Sequence, residues 1–494
     1  MRMWAQSHLC QKPQRVSSVF AAAFALVFLL LGASQPASAL PAFARKYGLR
    51  CSACHESWPA LNNFGLKFRD NGYQLMNDRD APIWQNPGYW PVTFRITPIW
   101  HRVSSLNQVD TYNSGGISSS TAQRITSSGF DLSGLDFHTG GTLEKNFSFY
   151  VLPSSDATGA FHFESVNARL DNIGGSPWLN IRLGKFELNN LLSEKRTLWL
   201  TGNGGIYQTY HFIPVNDGNT FGQMGDNQLG VEYMGHSVDD RTRISASLLS
   251  SNDGSVGLIT GANSYSGFFT FDQAFDAGKL GTERLGAYAF VGQAATYYLT
   301  NGGVPIPGSG IGNKSFSRVG FYGQFYLGPH FDINVVTQHG SDSAWFGQGY
   351  GNAIASDGNG TATCTAIPPP YPQPPCPPNN TPGTTLAPGS RAPTWNGYTF
   401  EARYVYSPQL IFKAVFEAER MSQQATPGTP SNLGNINNYS IGYRYNPFMT
   451  SRAGFAYFGE FNLFHQDGTG PNNSAGNPTN INTSELLFGI DFDF

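Results

Sequence analysis

The 494 residues carry a formal net charge of −3 with only 13% charged side chains, and nothing in that balance points to nucleic acid. No nucleophile triad, nucleotide-binding loop or clustered set of metal ligands stands out, which argues against an ordinary substrate-transforming enzyme. No stretch beyond residue 90 is apolar enough for a transmembrane helix.

The chain opens on an export pattern. Arg2, Lys12 and Arg15 form a basic region, Val19 to Leu31 an apolar run, and Ala37-Ser38-Ala39 a small-residue cleavage site. The pattern predicts a signal peptide over residues 1–39 and a mature chain from Leu40. The apolar run is short for a membrane anchor, and its removal takes away three basic charges and no acidic ones.

Cys51-Ser52-Ala53-Cys54-His55 follows at once. Two thiols at this spacing with a trailing imidazole are the pattern of c-type haem attachment: Cys51 and Cys54 bond the porphyrin and His55 ligates its iron. A redox disulfide would sit in a βαβ unit, and a zinc site would need two more soft ligands nearby. Pro59, Leu61, Phe64 and Phe68 predict a short helix able to pack on a haem face, and Asn71-Gly72 a turn. Residues 40–89 are therefore expected to form a small helical c-type cytochrome domain, whose limited core covalent haem would staple. The second axial ligand is expected at Met76 or, alternatively, at His101; His101 would require the haem to sit inside a barrel.

Period-two alternation takes over from Trp90. Tyr398, Phe400, Ala402, Tyr404 and Tyr406 share one face against Thr399, Glu401 and Arg403, and Leu410, Phe412, Ala414, Phe416 and Ala418 oppose Lys413, Glu417 and Glu419. Tyr439, Ile441, Tyr443 and Tyr445 against Ser440 and Arg444, and Phe455, Tyr457 and Phe461 against Arg452 and Glu460, repeat the logic, with Asn446-Pro447 read as the turn between them. Apolar-out, polar-in alternation is how a transmembrane barrel faces lipid; a soluble sandwich would have shorter strands and no segregation of long loops to one end.

Strand starts are expected near Pro91, Gly129, Asn146, Phe161, Trp178, Asn227, Thr242, Tyr265, Arg284, Phe316, Phe331, Asn396, Gln409, Asn438, Thr450 and Asn482, giving about sixteen antiparallel strands over residues 90–494. Short connections alternate with long ones such as Leu191 to Asp226 and His339 to Thr394, the arrangement of porins, whose short turns are periplasmic. Arg95, Arg182, Arg243, Arg318, Arg444 and Arg452 join the polar residues above in lining the interior. Asp110, Asp217, Asp226, Asp342 and His211 fall in expected outside loops, where they could offer ligands to iron(II). Cys364 and Cys376 bracket a Pro-rich segment and read as a loop disulfide in an exported chain.

The last strand sets Leu486, Phe488, Ile490, Phe492 and Phe494 against Glu485, Asp491 and Asp493. It resembles the terminal signal of outer-membrane barrels. More specifically, Leu40-Pro41-Ala42-Phe43-Ala44-Arg45, the Cys51 to His55 motif, Phe64-Gly65 and Asn71-Gly72-Tyr73 resemble the fused outer-membrane monohaem cytochrome c–porin family associated with extracellular iron(II) oxidation. The resemblance implies one covalent haem c at the periplasmic mouth or inside the barrel of a bacterial outer-membrane protein. It implies transfer of electrons from an extracellular donor, iron(II), to a periplasmic c-type cytochrome, in effect an iron(II) oxidase acting by outer-sphere transfer. The alternative is a porin for small solutes with a haem-bearing plug or redox-sensing domain. Outer-membrane lipid is the surrounding partner, and analogy with porins of similar strand number carries a homotrimer.

Overall fold

A strand that meets lipid on one side and a filled interior on the other must alternate at every residue, and this alternation shapes most of the chain. The computed structural model describes residues 42–57, 60–77, 80–85, 92–114, 117–155, 158–194, 199–212, 223–225, 227–250, 265–296, 300–301, 304–305, 312–343, 392–422, 434–450, 453–468 and 479–493. The expected signal peptide, Arg452, Phe494 and the Cys364/Cys376 pair lie outside these residues.

Sixteen strands form one closed antiparallel barrel in which each pairs with its neighbours in sequence. They are β1 (Val92–Ser114), β2 (Ile117–Glu144), β3 (Phe147–Ser155), β4 (Phe161–Leu170), β5 (Asn180–Phe186), β6 (Gln228–His236), β7 (Thr242–Ser250) and β8 (Tyr265–Asp276). The remainder are β9 (Thr282–Thr296), β10 (Gly312–Tyr326), β11 (Phe331–Asp342), β12 (Thr394–Ser407), β13 (Leu410–Met421), β14 (Ile436–Met449), β15 (Gly454–Gln466) and β16 (Ile481–Asp493). Closure comes from β16 on β1, with Leu486 opposite Arg102 and Phe492 opposite Ile96. A closed barrel leaves no sheet edge and satisfies every ladder group internally, the condition for crossing a bilayer with strands. No helix among the described residues is long and apolar enough to cross a membrane.

All but one of the expected starts lie within four residues of an observed strand start. The exception is β2, which begins at Ile117 rather than near Gly129. Its first half, ISSSTAQRITSS, is polar on both faces and so lacks the alternation that marks lipid-facing strand. Asn446-Pro447 is not a turn: both residues lie in β14 at a register shift between Tyr445 and Phe448, and the connection to β15 follows at residues 450–453. Pro98 in β1 and Pro153 in β3 sit at register shifts as well. A bulge releases the ladder position that proline cannot fill, so these prolines interrupt pairing without ending the strand.

The outer face carries Phe269, Phe271, Phe321, Tyr398, Phe400, Phe412, Ile441 and Phe488, all exposed. Their neighbours Thr399, Glu401, Arg403, Lys413, Glu417, Ser440, Arg444, Glu460, Glu485 and Asp491 are buried on the inner face. Two further parts of the chain occupy the interior. Residues 42–85 carry helices α1 (Ala42–Tyr47) and α2 (Asn63–Asp70). The long β5–β6 connection carries α3 (Tyr207–His211). Residues 42–85 and the barrel belong to one compact unit.

Candidate functional site

Residues 42–85 are fixed at the short-turn end of the barrel by contacts around its inner wall. Lys46 Nζ donates to Thr142 Oγ1 on β2 at 2.9 Å. Asp70 Oδ2 forms an ion pair with Arg243 Nη2 on β7 at 2.6 Å. Glu56 pairs with Arg403 Nη2 on β12 at 2.9 Å and with the Tyr326 hydroxyl on β10. Cys51 Sγ donates to the Thr450 carbonyl in the β14–β15 turn at 3.1 Å. These anchors ring the mouth, so the segment lies across it.

Helix α2 starts where Asn62 caps it by accepting from the Gly65 amide at 2.9 Å. The helix begins at Asn63 rather than including Leu61, which lies in a two-residue strand. Its buried side is Gly65, Leu66 and Phe68, whereas Phe64 is exposed. Gly65 has a clear reason to be glycine: an added Cβ would fall 2.1 Å from the Cys54 carbonyl oxygen. Gly72, at φ +72°, turns the chain against Asp171, whose carboxylate would lie 2.2 Å from a Cβ there. Tyr73 follows at φ +61°, an unfavourable backbone for an aromatic residue, held by its stack on Phe43 with ring centroids 4.7 Å apart.

Cys51, Cys54 and His55 line a single cavity of about 470 Å³, bounded by Leu61, Gly65, Phe68 and Tyr73 on one side and by the inner walls of β1 to β6 on the other. The two thiols are not joined in a disulfide. Burial, then the charge of Asp493, pushes the Cys51 thiol up to about 12, and burial pushes Cys54 up to about 11. For Asp70, burial alone would raise the carboxyl, but Arg243 and Arg69 hold it well below the usual carboxylate range.

Most cations of the inner wall already have acids. Arg95 Nε meets Asp491 at 2.9 Å, Arg169 Nη2 meets Asp171 at 2.8 Å and Arg182 pairs with Glu232. Arg318 with Asp342 (2.6 Å), Arg403 with Asp332 (2.6 Å) and Lys413 with Glu460 (2.7 Å) continue the pattern. Arg50, exposed at the edge of the cavity, has no acidic partner among the described residues.

Neither expected second ligand reaches this cavity. Met76 is 53% exposed, at φ +61°, with its sulfur 3.8 Å from Asn172 Nδ2. His101 lies on β1 opposite Leu487 and away from the cavity lining. Asp342 is not an outside-loop ligand, because it ends β11 buried on Arg318. His211 belongs to α3 and meets Glu194 Oε2 at 2.5 Å. Asp217 and Asp226 lie outside the described residues, as does the Asp110 side chain.

The described residues of the β5–β6 connection, expected as an outside loop, instead turn inward and pack in the lumen. Leu188, Leu191, Leu192, Ile206, Tyr210 and Met224 form one apolar cluster with Leu66 of α2 and with wall residues from Phe186 round to Val336. Phe212 continues onto Trp395, Met421 and Ile436, and Leu200 onto Ile99, Phe458 and Leu487. Four wall glutamates accept hydrogen bonds from the connection. Glu460 takes the Leu200 and Thr201 amides at 2.8 Å each, and Glu401 takes Trp199 Nε1 at 2.6 Å. Glu485 takes the Gly202 amide at 3.0 Å, and Glu417 the Thr209 amide at 3.3 Å. An apolar core of this kind has no place in a water-filled channel.

Fold and interior together define a porin-like, closed sixteen-strand barrel with a filled lumen. No family model matches the chain and no curated protein matches it. Among solved structures, the outer membrane channel DcaP of Acinetobacter baumannii is similar at 11% identity and a TM-score of 0.43, over 82% of this chain and 97% of that one. The anion-selective porin from Comamonas acidovorans is similar at 12% identity and a TM-score of 0.46, over 82% and 98%. OprB of Pseudomonas putida is similar at 9% identity and a TM-score of 0.44, over 81% and 94%. Likeness at this level concerns the fold alone.

Proposed function

We propose that this chain is an outer-membrane electron-transfer protein of the fused cytochrome–porin kind, carrying one haem c on Cys51 and Cys54 with His55 as the proximal iron ligand. The observation that carries the reading is the convergence of these three side chains on one cavity at the short-turn end of a barrel whose described interior is otherwise packed. The cavity suits the group: two unbridged thiols stand at its wall, aromatic side chains flank it, and Arg50 offers a cation for a carboxylate at its edge. When bound there, haem supplies a centre that gains and loses a single electron.

The chain's own residues do the rest. Gly65 lets α2 close on the Cys54 carbonyl, Asp70 and Glu56 pin the segment to two separate strands of the wall, and the inward connection excludes water from the middle of the barrel. In this reading iron(II) outside the cell becomes iron(III), a periplasmic c-type cytochrome gains the electron, and no atom is transferred. The short-turn end faces the periplasm, with the cytochrome segment in its mouth, and a homotrimer in outer-membrane lipid is carried with it.

The test is anaerobic addition of iron(II) to the purified mature protein in detergent, after confirming covalent haem by mass. Appearance of the reduced α-band supports the reading. Haem that dithionite reduces and iron(II) does not removes iron as the donor. The second reading, a solute porin with a haem-bearing plug, draws on the porin-like barrel itself, and liposome swelling in small sugars tests it: flux through the intact protein would favour it.

A further inference from the structure

Resting on the haem reading, we propose that His138 of β2 is the second axial ligand. Among the described residues that line the cavity, His138 is the one imidazole besides His55. It stands near the short-turn end of β2, opposite Thr93 of β1, at the level of the Cys51 to His55 motif. Two residues on, Gly140 receives α1, since a Cβ there would lie 3.3 Å from Phe43 Cζ.

The ring is held in place. His138 Nδ1 shares a 2.7 Å hydrogen bond with the Tyr150 hydroxyl on β3, and the Tyr150 ring lies 6.2 Å from Tyr73 of the N-terminal segment. A metal-binding imidazole characteristically has its second nitrogen fixed by such an outer partner, which sets tautomer and orientation. Asp136 Oδ2 lies 4.0 Å from His138 Nε2, with Ser154 and Arg95 hydrogen-bonded to that carboxylate. Met234 of β6 is the rival sulfur ligand in the same cavity. The thioether carries no comparable orienting contact among the described residues. Axial nitrogen from both sides would give a lower haem potential than His and Met together.

The experiment compares haem-loaded mature wild type with His138→Gly, His138→Met and Met234→Leu by absorption and electron paramagnetic resonance. Wild type is expected to be low-spin with two nitrogen ligands, and Met234→Leu to match it. His138→Gly should turn high-spin and return to low-spin on adding imidazole. His138→Met, which keeps a ligand and so a packed site, should show His–Met character and a higher midpoint potential. Low-spin wild-type-like spectra in both His138 variants would overturn the assignment and leave the haem reading standing. Wild-type protein without covalent haem would overturn both.

Discussion

Removing the Glu460 carboxylate should unseat the loop that fills the barrel. Glu460 is 2% exposed, accepts the Leu200 and Thr201 amides at 2.8 Å each, and pairs with Lys413 Nζ at 2.7 Å. Hydrogen bonds to a charged acceptor contribute about 1.5–3 kcal/mol each, and a buried cation left without its partner costs about 3–5 kcal/mol. The two amide bonds alone place the tether at about 3 kcal/mol, roughly a hundredfold in the ratio of seated to released loop. The assay is single-channel recording in planar bilayers. Wild type should show no steady open-channel current. Glu460→Ala should show transient openings about a hundred times more frequent than any in wild type. Adding Lys413→Met should recover part of the urea stability by removing a buried cation that has lost this acid, yet keep the openings because the amides stay without their acceptor and the Lys413 contact with the Trp199 ring goes too. Wild-type current of an open sixteen-strand channel, or a folded Glu460→Ala protein as silent as wild type, would refute the reasoning.

Asp70→Ala should loosen residues 42–85 from the wall at a cost of about 2–3 kcal/mol, less than an isolated buried pair because Asp272 and Asp240 remain 3.7 and 3.9 Å from Arg243. Limited proteolysis should then cut this segment faster while the barrel keeps its heat-modifiable gel mobility. Gly65→Val should cost more than the usual ~1–3 kcal/mol of overpacking, because the obstructing atom is a backbone oxygen, and should lower the yield of covalent haem read by mass. In the β6–β7 turn, burial and then the charge of Asp70 push Asp240 up to about 7 from an ordinary 3.8. Since the folded value lies above the unfolded one, its stabilising contribution is full below pH 3.8 and is lost as pH rises through 7. Urea midpoints should therefore fall from about pH 6 to about pH 8 in wild type and fall less in Asp240→Asn.

The barrel was legible because two environments alternate along every strand, so that Tyr404 and Phe412 face out while Arg403 and Lys413 face in. Where that contrast fades the reading slips, as in the polar first half of β2, and where proline falls on a bulge it misleads, as at Pro447. The Cys51 to His55 motif is local and could be read at once, whereas the side chains facing it from β2 and β6 depend on strand register and barrel closure, which no local pattern encodes. The inward course of the β5–β6 connection was missed, although it left a trace. Leu188, Leu191, Leu192, Trp199, Leu200, Ile206 and Tyr210 are too apolar for a loop in water. Among the described residues Glu417 and Glu485 make no ion pair, and each accepts a loop amide.

A barrel of sixteen strands left to itself encloses water, and water is what a solute channel needs. This one spends its long β5–β6 connection on the opposite arrangement, with apolar side chains at the centre and backbone amides aimed at wall carboxylates. A packed apolar interior blocks solute passage, and the proposed redox segment sits at one mouth of it, held by contacts around the inner wall. The cations of the wall are paired as well: Arg95, Arg243, Arg318 and Arg444 are each matched by an acid. A solute-conducting wild type would therefore contradict the filled lumen, while the proposed haem site at Cys51, Cys54 and His55 would stand or fall on its own test.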